Sequence, residues 1–163
     1  MEKLVLDFEN WLVQDYEAFT LASLTGDAVT VGEKLSKLVV SWDIEKASPS
    51  DPESYGKLSL RDIGRVMKTV NETARKMLYE GAPGYEGFDF DMLGWNFNEF
   101  TAFSQAVSKN DYKVMFELLK KVLTAWPFDL KFEEKSLPLL NYEQYCALNV
   151  AIKLAVQDAL QGN

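Results

Sequence analysis

Apolar positions along this chain fall into short stripes at helical spacing, separated by polar stretches rich in Gly, Pro, Ser and Asp. One stripe reads Val31, Leu35, Leu38, Val39 and Trp42; another reads Met115, Leu119, Val122, Leu123 and Trp126. Recurrence every three or four residues puts such side chains on one face of a helix. A stripe with Tyr16 and Phe19 precedes the first, and one with Phe100, Phe103 and Val107 precedes the second. A third stripe follows each: Ile63, Val66, Met67, Val70 and Ala74, and then Tyr145, Leu148, Ile152 and Val156. Between the first and second helices stand "TGD" and "KND". Gly26 or Asn110 suits a left-handed helix end, and Asp27 or Asp111 suits the cap of the next helix. Ser59 with Asp62, and Asn141 with Gln144, supply starts for the third helices.

These are two copies of one pattern. At an offset of 84, Trp11 falls on Trp95, Ala18 on Ala102, Phe19 on Phe103, Asp27 on Asp111, Leu35 on Leu119 and Trp42 on Trp126. Nine of the 32 ungapped positions from Trp11 to Trp42 are identical, where ordinary composition gives about two. After a two-residue shift the match resumes, with Leu58 on Leu140, Val66 on Leu148 and Val70 on Ile152. The sequence therefore predicts a mainly α protein of two similar three-helix units from an internal duplication. Residues 1–80 form the first unit, 81–87 ("GAPGYEG") the linker and 88–163 the second. "KLVLDF" and "GFDFDML", ahead of the first helices, are short strands or extended packing arms. The four tryptophans lie on apolar stripes and read as core residues, with their indole N–H groups bonded to loop carbonyls; the alternative is an aromatic groove for a partner segment.

Composition narrows the function classes. The chain has 163 residues, is 47% hydrophobic and carries a net charge of −8. That balance disfavours a phosphate-binding face, so no nucleic-acid partner is expected. No apolar run approaches the roughly 20 residues that span a bilayer. The N-terminus lacks a basic start followed by an apolar run, and the expected location is the cytoplasm. The chain has no histidine and one cysteine, Cys146, on a helical stripe. A Ser-His-Asp triad and His-based metal sites are therefore excluded, and no cofactor is expected. Asp89 and Asp91 lack a calcium-loop pattern and read as solvated charges. With no catalytic constellation, the chain reads as a binding protein and not an enzyme.

The candidate contact residues lie in the long connections between the second and third helices, 43–57 and 127–139. Pro and Ser block helix there, and loops of that length are often functional. Ile44, Tyr55, Phe128, Leu130 and Phe132 stand among charges in these loops, either facing a partner or folding back on the core.

The phrase "LVVSWDIEKASPSDPESYGKLSLRDIGRVMKTVNE" resembles the tail assembly chaperones of long-tailed bacteriophages. The motifs that carry the resemblance are a helix ending near "GD", an aliphatic run closing on Trp42, a Pro/Asp loop at Ser48–Pro52 and the "LSL" start at Leu58–Leu60. "VLTAWPF" and "LLNYEQY" repeat the order. The resemblance implies a non-enzymatic protein that binds the tape-measure protein during tail assembly and helps recruit tail-tube subunits in the host cytoplasm. Two tandem units depart from the simple form of that family, which opens the stoichiometry, including a homo-oligomer. The alternative is a bivalent structural or adaptor protein of a phage or bacterial assembly.

Overall fold

A computed structural model describes residues 4–162, and the protein is mainly α with two short two-stranded sheets. The chain divides into two compact units. The first takes the chain up to Met77 together with Asn141–Glu143; the second takes Leu78–Leu140 and the remainder from Gln144. The division thus falls between Met77 and Leu78, inside the helix at Leu60–Glu80 and a few residues before the glycine-rich 81–87 stretch. It also returns a three-residue segment from far along the chain to the first unit.

In the first unit, strand β1 (Val5–Leu6) leads through a 3-10 turn at Phe8–Asn10 into α1 (Val13–Thr25) and α2 (Ala28–Leu38). Strand β2 (Val39–Ser41) follows, then α3 (Pro52–Gly56) and α4 (Leu60–Glu80). The junctions form as the sequence predicts. Gly26 ends α1 at φ 73°, and the Asp27 carboxylate accepts from the Thr30 amide at 3.1 Å to start α2. Ser59 starts α4 by accepting from the Asp62 amide at 3.1 Å.

The second unit repeats the order: β3 (Asp89–Phe90), a 3-10 turn at Met92–Gly94, α5 (Phe97–Lys109), α6 (Tyr112–Leu119) and β4 (Leu123–Ala125). A 3-10 segment at Glu134–Leu139 and α7 (Tyr142–Leu160) complete it. Equivalences reach single atoms. The Trp11 indole donates to the Lys34 carbonyl at 2.6 Å, and the Trp95 indole to the Leu118 carbonyl at 2.8 Å. Trp11 meets Phe19 at 5.2 Å between centroids, and Trp95 meets Phe103 at 5.1 Å. Leu6 pairs with Val39 across the first sheet, and Phe90 with Leu123 across the second.

Two expectations change. The second helices stop at Leu38 and Leu119, short of Trp42 and Trp126, because the chain turns extended there and pairs with β1 or β3. The β-branched run Val39–Val40 and the available strand outweigh a helical stripe. The long connections are also not free of helix. The Asp51 side chain accepts from the Glu53 amide at 3.0 Å and Pro52 takes the first turn of α3, where a proline's missing N–H costs nothing. Each unit thus has a short helical segment beyond the three helices predicted.

Candidate functional site

The second unit carries an open apolar groove of about 870 Å³. One wall is the stretch from Phe88 to Leu93. Alternation along "FDFDM" sends Phe88, Phe90 and Met92 one way and Asp89 and Asp91 towards solvent. The Asp91 carboxylate accepts from the Leu93 amide at 3.1 Å and turns the chain, leaving the Leu93 side chain 95% exposed. The other wall is α7, where Ala151, Ala155 and Ala159 recur at a spacing of four and so share one face. Leu154 flanks them and is 56% exposed. Asp89, Asp91 and Asp158 form an acidic rim.

Beside the groove is a hollow of about 130 Å³ lined by Met92, Trp95, Asn96, Phe100 and Val156, with Phe97 at its mouth. In the first unit the corresponding positions are Phe8, Trp11, Leu12, Tyr16 and Ala74. There the place is occupied. The Tyr142 amide donates to the Trp11 carbonyl at 2.7 Å, and its hydroxyl donates to the Ala74 carbonyl at 2.9 Å. The Tyr142 ring lies 5.4 Å from Phe8 and 4.8 Å from Tyr16, and Asn141 bridges to Leu12. Trp11 is 0% exposed, whereas Trp95 is half-buried.

The loop residues nominated by sequence lie elsewhere. Tyr55 is 3% exposed; its hydroxyl donates to the Pro49 carbonyl at 2.7 Å and its ring packs on Trp42 at 5.0 Å. Burial pushes its phenol well above the ordinary range. It is a packing residue of the first unit, and Ile44 is half-buried. Phe128 and Phe132 converge on Trp126, each at 4.9 Å, and Phe132 also meets Phe116 at 4.9 Å. Leu130 is at the exposed end, and its carbonyl accepts from the Trp126 indole at 2.7 Å. Trp42 is anchored similarly, donating to the Ala47 carbonyl at 3.0 Å. These loops therefore fold back onto indoles within their own units. Only Phe128 reaches the groove, indirectly, by backing Phe88 at 5.2 Å.

Leu93, Leu154 and the alanine face were missed because they follow no stripe of their own. The available signal was the difference between copies. Leu93 stands where the first copy has Glu9, Leu154 where it has Glu72, and Ala151 and Ala155 where it has Thr69 and Thr73. A polar surface in one copy is apolar in the other.

Among the described residues no helix is long and apolar enough to cross a membrane, and no cluster of three or more His, Cys, Asp or Glu side chains could hold a metal ion. Cys146 is buried. No family model, curated protein or solved structure matches the chain.

Proposed function

We propose that this protein is a non-enzymatic assembly chaperone that shields an amphipathic helix of another protein, the tape-measure protein of a long-tailed phage. The observation that carries the reading is the apolar groove of the second unit, open along α7 with a small-residue floor and exposed leucines at its edges. A helix can lay its apolar face into such a channel, reading it with side chains spaced three and four apart. Large contiguous exposed apolar patches mark interaction surfaces. The acidic rim and the net charge of −8 would keep the loaded complex dispersed. The choice of client rests on the resemblance of "LVVSWDIEKASPSDPESYGKLSL" and its second copy to tail assembly chaperones.

The test is co-expression with the tape-measure protein of a long-tailed phage. The native chain should hold that protein in the supernatant, and a Leu93→Asp/Leu154→Glu variant with an unchanged circular dichroism spectrum should not. Capture that survives the double variant would remove the groove from the reading.

A further inference from the structure

The first unit is completed by a short segment, Asn141–Glu143, whose tyrosine fills the hollow over Trp11. The second unit has the corresponding hollow over Trp95 and, among the described residues, no corresponding segment. The internal repeat identifies what that segment would be. Ser59, Leu60 and Arg61 stand at the same place in the first copy as Asn141, Tyr142 and Glu143 in the second. Leu60 is 91% exposed at the start of α4. Its amide lies in the first helical turn, where no intrahelical acceptor exists. The amide of Tyr142, at the same position of α7, donates to the Trp11 carbonyl.

We propose that the Ser59–Arg61 segment of one copy docks into the Met92–Trp95–Phe100 hollow of another, so that the protein associates head to tail. Leu60 enters the hollow as Tyr142 enters its counterpart, and its amide donates to the Trp95 carbonyl. The hollow, at about 130 Å³, suits one aliphatic side chain, and Phe97 at its mouth is 67% exposed and closes over it. Charge agrees with the assignment. Arg61, next to Leu60 in the segment, is cationic, and Asp158, next to Ala159 of the hollow lining, is anionic, so the docked position brings opposite charges near each other. Because donor and receiver are different surfaces, the contact is heterologous and repeats into rings or open chains.

This inference does not depend on the identity of the client, and its test uses the purified chain alone. Sedimentation and light scattering across a concentration series should show association that weakens with salt. Leu60→Asp and Phe97→Asp, both at exposed positions, should each be monomeric with native circular dichroism. Mixed, they should form a one-to-one dimer and nothing larger, since each retains the half that the other lacks. Arg61→Glu and Asp158→Arg should each weaken association by about tenfold or more, and the two changes in one chain should restore it. A wild-type chain that stays monomeric at the highest concentration overturns the proposal. So does a Leu60→Asp chain that associates like wild type, or a mixture of the two variants that stays monomeric.

Discussion

The two units solve the same packing problem to different degrees. In the first, the Trp11 ring is enclosed by Phe8, Tyr16 and Phe19, Tyr142 packs in turn on Phe8 and Tyr16, and nothing of Trp11 reaches solvent. In the second, Trp95 makes the same indole hydrogen bond and the same contact with Phe103, but Met92 replaces Phe8 and no tyrosine lies on top. The hydrogen-bonded frame is shared; closure is what differs. A tryptophan on an apolar stripe therefore does not by itself reveal whether its outer face is core or docking surface. The residue that decides comes from elsewhere in the chain.

The largest expected effect separates the two indoles. Trp11→Ala should cost about 3–5 kcal/mol in denaturant melts, as a fully buried aromatic. Trp95→Ala should cost roughly half of that, because its outer face already meets water. Equal losses would erase the distinction between a closed and an open unit.

A second contrast concerns how the short helical segments approach the second helices. Gly32 of α2 lets the Pro52 carbonyl come close enough that a Cβ would clash with it. The corresponding residue in the second unit is Phe116, which packs against Phe132 instead. Gly32→Ala should thus cost about 1–3 kcal/mol by forcing α3 outward, measured as a shift in thermal midpoint, and Phe116→Ala should leave a void in the other unit.

Charge provides the third. Asp15 is 4% exposed, accepts from the Leu12 amide at 3.0 Å and pairs with Lys34 at 2.8 Å. Burial alone would raise its carboxyl, but the bonds from Lys34 and the Leu12 amide and the nearby lysine charges outweigh burial and lower it. Its stabilisation is present above the ordinary value of 3.8 and is lost as pH falls through the lowered folded value. Asp15→Ala should cost roughly 1.5–3 kcal/mol at pH 7, and Asp15→Asn should flatten the acid limb of a stability-versus-pH curve. Glu99 makes the equivalent link to Lys121 at a half-buried, less enclosed position, so Glu99→Ala should cost less and change the acid limb less.

The smallest effect tests the plug itself. Tyr142→Phe removes the bond to the Ala74 carbonyl while keeping the ring over Phe8 and Tyr16. A loss of about 1 kcal/mol is expected. A much larger loss would mean that the hydroxyl, and not the ring, seats the segment, which would weaken the analogy with Leu60.

The frame was legible in sequence because it is built from local rules. Asp27 and Asp111 cap helices, Gly26 and Asn110 take positive φ, and the offset of 84 aligns strands, turns and helices. What was not legible depends on non-local pairing. The ends of α2 and α6 yielded to strands whose partners lie more than thirty residues earlier. Pro52 reads as a helix breaker until Asp51 is seen to make it a helix start. Tyr55 and Phe132 look stranded among charges, yet Trp42 and Trp126 gather them in. The groove needed two segments some sixty residues apart, although the exchange of Glu9 and Glu72 for Leu93 and Leu154 marked both walls.

The return of Asn141–Glu143 to the first unit has a consequence for how the chain folds as it is made. Emergence from a ribosome runs from the N-terminus, and most domains can close once their own stretch of chain is out. Here the stretch up to Met77 emerges long before the tyrosine that packs on Phe8 and Tyr16, so the early chain holds an unfinished aromatic surface while the rest is synthesised. Contacts of such long sequence separation also slow folding, since a large loop must close before they form. A nascent chain arrested after residue 140 should therefore leave the outer faces of Phe8 and Tyr16 open and be cut by protease in the first unit faster than the released full chain.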